Sequence, residues 1–126
     1  MFIVSLLVIN ISTPAFTQRI EGTIVDIADG DTLTLLDTGH QQHKMRIGGI
    51  DAPVKAQPYG MHSKRNLSDL AYRKQAKADC YKTDRYGREV CTFFVDGKDV
   101  GLEQIMAGMA WWFRRYASEQ ATARYR

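Results

Sequence analysis

Apolar and polar residues alternate in short runs along most of the chain, and turn dipeptides separate the runs. In I-E-G-T-I-V-D-I, Ile20, Val25 and Ile27 stand apolar among polar neighbours. That is an imperfect two-residue period, with Gly22 as a candidate bulge, and it predicts a first strand. Asp29-Gly30 is a hairpin turn signal, and Thr32 to Leu36 follows as a second strand. Asp37-Thr38-Gly39 turns the chain again. Gln42 to Ile50 is the third strand, carrying Met45 and Ile47. Gly48-Gly49 near its end marks a close backbone approach or a sharp bend, and Pro53 stops it.

The period then changes. Met61 to Lys74 reads as a helix, with Leu67, Leu70 and Ala71 on one stripe and Lys64, Arg65, Arg73 and Lys74 mostly off it. Lys77 to Lys82 and Glu89 to Val95 form a second hairpin around D-R-Y-G-R. Gly101 to Ala107 is a short helix with Leu102, Ile105 and Met106 as its apolar face, closed by Gly108. The fold class is therefore mainly β (α+β). Five antiparallel strands, one helix between the third and fourth, and a short helix after the fifth make an OB-type barrel. Such barrels commonly bind nucleic acid.

The N-terminus changes the picture of location. Residues 1–18 carry no charged side chain, and Phe2 to Ile11 is almost wholly apolar. The run is too short to span a bilayer. Small residues around Thr13, Ala15 and Thr17 fit a cleavage site, so 1–18 is expected to be a signal peptide and 19–126 the domain. An exported protein, periplasmic or secreted, free of the membrane and monomeric, is the expectation. In that setting Cys80 and Cys91 form either a cross-strand disulfide or two half-buried thiols. Their number and spacing exclude a zinc site. His40, His43 and His62 read as solvated. Composition adds little: 44% hydrophobic and 25% charged residues suit one globular domain, and a formal charge of +3 is compatible with an anionic partner.

Candidate chemistry gathers at one end of the sheet. Asp31 starts one strand and Asp51 ends its neighbour. Two carboxylates with a backbone carbonyl beside Asp51 suit a hard cation, Ca²⁺ or Mg²⁺. Arg46 and Arg88 offer planar forks for phosphate oxygens. Arg85 and Tyr86 could reach a further phosphate and a base. Trp111, Trp112, Phe113 and Tyr116 interleave with Arg114 and Arg115, a composition that can stack bases, Tyr116 foremost.

These residues fall in five motifs: D-G-D-T (29–32), R-x-x-G-I-D-A-P (46–53), T-D-R-Y-G-R (83–88), V-D-G-x-D-V (95–100) and G-M-A-W-W-F-R-R-Y (108–116). In that order and spacing the chain resembles the thermonuclease, or staphylococcal-nuclease-like, family. The resemblance implies an OB-fold enzyme that hydrolyses DNA and RNA phosphodiesters with Ca²⁺, preferring single strands. It implies Asp31, Asp51 and the Ala52 carbonyl as metal ligands, and Arg46 and Arg88 as catalytic arginines. It implies Arg85 and Tyr86 as contacts to a terminal phosphate. Two departures stand out. Where family members carry the glutamate that is the usual general base, this chain has Val54. General base catalysis contributes about 10²–10⁴-fold, so activity is expected to be reduced. The alternative is a catalytically impaired nucleic-acid-binding module. The second departure is the C-terminal helix, expected to be truncated at Arg126.

Overall fold

A computed structural model of the protein describes residues 17–112. Residues 1–16, Phe113 to Tyr116 and the residues beyond, on which the expected signal peptide and C-terminal helix fall, lie outside the described residues. Strand β1 (Gln18–Asp29) is the longest, and it serves two partners. It pairs antiparallel with β2 (Thr32–Asp37) and with β5 (Gln75–Thr83). Register shifts between Ile24 and Asp26 and between Ile27 and Asp29 bend it, so the bulge lies beyond Gly22. Gly22 serves close approach instead: a Cβ there would overlap the Leu36 carbonyl oxygen.

β3 (Gln42–Ile47) pairs with β2, and β6 (Glu89–Val95) pairs with β5. β3 then pairs with β6 in parallel, Met45 opposite Glu89 and Ile47 opposite Cys91, which closes the barrel. The wholly antiparallel arrangement expected from the sequence is thus corrected to a five-stranded mixed barrel. The short β7 (Lys98–Asp99) extends the β6 edge. Ile24, Leu33, Leu35, Met45, Ile47 and Phe93 fill the interior with at most 1% exposure.

The third strand is also shorter than expected. It stops at Ile47, and Gly49 takes a positive φ of 80°, open to glycine without steric cost. The chain reverses and resumes as β4 (Ile50–Asp51), which pairs with β8 (Trp111–Trp112) in a separate two-stranded sheet. Helix α1 (Gly60–Ala71) buries Gly60, Ser63, Leu67 and Ala71 against the barrel, one stripe at helical spacing.

Helix α2 (Val100–Met106) starts one residue early. Its buried residues are Val100, Gly101 and Gln104, while Met106 is 70% exposed. Of the expected face, Ile105 packs half-buried against the core and Leu102 is half-buried, so only Met106 is corrected, and the innermost positions are set by space. Only a small residue fits against the barrel here: a Cβ on Gly101 would sit 3.0 Å from Ile47 Cγ2. Asp99 caps the helix by accepting from Leu102 N–H at 3.1 Å, and Gly108 follows the end with a φ of 73°.

Cys80 and Cys91 are opposite each other on β5 and β6, both buried, and form a disulfide. His43 is not solvated as expected. Its Nε2 lies 2.7 Å from Asp37 Oδ2 and its Nδ1 2.7 Å from Glu89 Oε1, tying the β2 end to β6 across the closing seam. The Asp37 hydrogen bond, opposed by burial and reinforced by Glu89, raises the His43 pKa above its ordinary 6.5. The same bond, with the Gln41 and Gly39 N–H groups, lowers the Asp37 carboxyl. No described helix is long and apolar enough to cross a membrane.

A raised histidine pKa stabilises the fold fully below the unfolded value and loses that contribution as pH rises through the folded one. A lowered aspartate pKa stabilises above its unfolded value and is lost as pH falls through the folded one. The thermal midpoint of the wild type should therefore exceed that of His43→Gln most between those two losses, on the acidic side of pH 6.5, with the gap closing on either side. A gap constant from pH 5 to 9 would show that the clamp is not ionic. For the disulfide, Cys80→Ala/Cys91→Ala should lose about 3 kcal/mol in urea denaturation, the contribution of a short closed loop. A loss below about 1 kcal/mol would mean that the strand pairing alone holds the hairpin.

Candidate functional site

The rim near Gly48-Gly49 brings together most of the polar residues singled out from the sequence. Thr32 and Arg46 face each other on β2 and β3, which sets Arg46 beside Asp31. The glycine reversal then carries Asp51 back over the same rim. Arg46 Nη2 lies 3.4 Å from Asp31 Oδ2 and 3.4 Å from Asp51 Oδ1. Asp31 is further held by Ala52 N–H, which donates to Oδ2 at 3.0 Å, and by the Thr32 hydroxyl, which donates to Oδ1 at 2.9 Å. The Asp31 side chain is 9% exposed and that of Asp51 38%, so one acid is fixed and the other faces solvent.

The arginine half of the site comes from the β5–β6 turn. Asp84, which the sequence reading passed over, organises it. Its Oδ1 accepts the Tyr86 and Arg88 N–H groups at 2.9 Å each, and its Oδ2 accepts Arg88 Nε at 2.8 Å. Burial pushes the Asp84 carboxyl up, but these donors outweigh it and hold it below the usual range. The Asp-x-x-Gly-Arg order was the available signal, since an aspartate opening a turn commonly accepts from backbone two residues on. Arg88 Nη1 approaches Thr32 Oγ1 at 3.5 Å, too long for a good hydrogen bond but close enough to put both arginines on one rim. Arg85 and Arg88 each sit 5.3 Å from the centre of the exposed Tyr86 ring. Tyr116, the remaining expected substrate contact, lies outside the described residues.

Val54 stands three residues past Asp51 and is 49% exposed. Its backbone is pinned: its N–H donates to Gln57 Oε1 at 3.0 Å and its carbonyl accepts Gln57 N–H at 2.9 Å. Asp29, the other acid near the turn, has a buried Oδ1 without a hydrogen-bond partner among the described residues.

Gln104 is a site-supporting residue with no sequence signal, because a glutamine within an apolar helix pattern reads as surface. It is fully buried. Its Nε2 donates to the Gly30 carbonyl at 2.8 Å and to the Ser63 carbonyl at 3.1 Å, and its Oε1 accepts Asn66 Nδ2. Ser63 Oγ donates to the Met109 carbonyl at 2.6 Å. Through these bonds α1, α2 and the Gly30-Asp31 turn are locked to one another.

Chemically, the pair of carboxylates is an all-oxygen, hard donor set, and both members converge on one point of the rim. Among the described residues no three His, Cys, Asp or Glu side chains group into a closed metal site. Two carboxylates facing one point are oxygen donors of the kind a hard cation takes.

The family described as staphylococcal nuclease homologue matches residues 44–126. The chain belongs to the staphylococcal nuclease family. It is 35% identical over 114 residues to an uncharacterized endonuclease of Haemophilus influenzae, covering 90% of this chain and 64% of that protein. It is 33% identical over 118 residues to a micrococcal nuclease of Shigella flexneri, covering 86% and 67%. With protein ParB of Escherichia coli it shares 32% over 119 residues, 87% and 66%. The chain thus spans about two thirds of the length of these staphylococcal nuclease relatives.

Removing the Gln104 donor would leave buried carbonyls unsatisfied, which costs about 1–3 kcal/mol. Gln104→Leu should lose that much in urea denaturation, whereas Met106→Gln, on the exposed side of the same helix, should stay within about 0.5 kcal/mol. The reverse ranking would restore the helix face expected from the sequence.

Proposed function

We propose that the protein is an exported, metal-dependent phosphodiesterase that hydrolyses DNA and RNA, single strands in preference, and that Val54 limits its turnover. The observation that carries this reading is the Arg46 guanidinium held 3.4 Å from both Asp31 and Asp51, with Arg88 on the same rim. Family membership supports the reaction class, and the names of the Haemophilus and Shigella relatives support nuclease action. The Cys80–Cys91 disulfide supports an oxidising compartment, periplasmic or extracellular.

In this reading Asp31, Asp51 and the Ala52 carbonyl hold Ca²⁺, which supplies Lewis-acid polarisation of a phosphoryl oxygen. Arg46 and Arg88 bind the scissile phosphate and stabilise charge as it builds on the equatorial oxygens. Arg85 and Tyr86, at the tip of the β5–β6 turn, take a neighbouring phosphate. Thr32 links the two halves, because its hydroxyl bonds Asp31 and approaches Arg88. Water must lose a proton as it attacks phosphorus, and Val54 can neither accept that proton nor order the water. A second reading, a binding module without turnover, is favoured by this residue alone.

Incubating the full chain with single-stranded DNA and Ca²⁺ separates them. Slow cleavage is expected, abolished by EGTA and by Asp31→Ala. Val54→Glu should raise it by about 10²-fold or more. Binding without cleavage in both the wild type and Val54→Glu would overturn the enzyme reading in favour of the module.

A further inference from the structure

Beside Asp51 the surface opens into a cleft of about 300 Å³, at the lower end of the range for small-molecule sites. Its walls come from two directions. Pro53, Pro58 and Tyr59 belong to the loop between β4 and α1, and Met109 and Trp111 follow α2. Trp111 is 51% exposed and Tyr59 70%, so two large aromatic side chains border it without being used by the core. Phosphate chemistry makes no use of such walls.

We infer that this cleft is a nucleobase site, in which Trp111 and Tyr59 hold one unpaired base of the strand whose phosphate lies at Arg46. The inference rests on the nuclease reading and extends it to how the strand is gripped. Strand register is the main support. Asp51 pairs directly with Trp111 across β4 and β8. Directly opposed residues of an antiparallel pair project to the same face, with Cβ atoms about 5 Å apart. Asp51 is also 3.4 Å from Arg46, so the aromatic wall and the phosphate-binding guanidinium flank one carboxylate. In a nucleotide a base hangs one sugar away from its phosphate, and the surface repeats that order: charged, then apolar and aromatic.

The cleft is also built in advance. Val54 and Gln57 exchange backbone and side-chain bonds, and Gly60 N–H donates to the Gln57 carbonyl at 2.9 Å. A Cβ on Gly60 would overlap the Val54 carbonyl oxygen, so the loop is seated tightly on the start of α1. On the other side, Ser63 Oγ holds the Met109 carbonyl. Little ordering is left for a ligand to impose. A base stacked in this cleft cannot at the same time be paired in a duplex, which gives the preference for single strands a physical origin.

The test is equilibrium binding of the full chain to a labelled single-stranded oligonucleotide and to the same oligonucleotide made abasic, in chelator and low salt so that nothing is cut. Trp111→Ala should weaken binding of the base-bearing strand about ten-fold or more, the scale of one lost base stack, and leave the abasic strand unchanged. Trp111→Phe should recover most of the loss. Tyr59→Ala, at a side chain too exposed to matter to folding, should repeat the pattern more weakly. Equal weakening of both strands by Trp111→Ala would overturn the base site while sparing the nuclease reading. A wild type that binds neither strand and cleaves nothing would remove that reading itself. Unchanged binding in Trp111→Ala also overturns the inference. A wild-type dimer in sedimentation would then give the cleft to a second copy. A change of Trp111 emission on deleting residues 113–126 would instead give it to the chain's own tail.

Discussion

Ile47 is held from two sides at the point where the barrel closes. Its N–H donates to the Asp31 carbonyl at 2.8 Å, and it stands in register with Cys91 on β6. The next N–H, from Gly48, donates to the Cys91 carbonyl at 2.8 Å. These bonds complete the parallel β3–β6 seam, which ends with Ile47 opposite Cys91. Just past the seam Gly49, at a φ of 80°, reverses the chain, and the reversal brings Asp51 to the Arg46 that also faces Asp31. The same seam carries the disulfide through Cys91 and the His43 clamp through Glu89. Fold closure and site assembly are therefore one event: a change that opens the seam separates the two carboxylates.

The ion pairs of the rim are shared rather than tight. One guanidinium stands between two carboxylates at 3.4 Å each. Charge-assisted pairs with good geometry close to about 2.7–2.9 Å, and both of these contacts are longer. The nearer arginine, Arg46, is shared between the two acids, and Arg88 stands further along the rim. Asp31 is nevertheless fixed, since its two oxygens accept from Thr32 and Ala52 as well as facing Arg46. An acid that is fixed and mostly buried is suited to binding a hard ion. Asp51, more exposed, is the member free to adjust. Gln104 acts behind this arrangement by fixing the Gly30 carbonyl, one peptide away from Asp31.

What could be read from the sequence was whatever is encoded locally. Asp29-Gly30 and Asp37-Thr38-Gly39 marked their turns, Leu67 and Ala71 marked the face of α1, and Gly108 marked the end of α2. The motif order carries the family, and Asp31, Arg46 and Asp51 fall within two of its motifs. Features that depend on distant partners were not legible. His43 reads as a loop histidine until Asp37 and Glu89 are placed on either side of it. Gln104 reads as surface until Gly30 and Ser63 supply acceptors that a buried amide needs. The parallel closure could not be read from a run of hairpins, because β3 and β6 meet across more than forty positions of intervening chain. On α2 the apolar pattern marks Ile105, which packs on the core, but the innermost position is set by space, at Gly101 against Ile47.

The surroundings of Val54 show how a side chain can change here without touching the fold. Its loop is shaped by the backbone of residue 54 and not by its side chain: the N–H and carbonyl both bond Gln57, and Gly60 packs on the carbonyl oxygen. The isopropyl group is half in water and contributes little burial. Any side chain that tolerates this backbone would therefore leave the loop, and the cleft beside it, as they are. A carboxylate at 54 and a valine at 54 differ in proton chemistry and in very little else. A different side chain at this position leaves the hydrogen bonds of Asp31 and Asp51 in place, because they run to Arg46, Thr32 and the Ala52 N–H. The side chain at 54 can therefore vary without altering the rim on which Asp31, Arg46 and Asp51 meet.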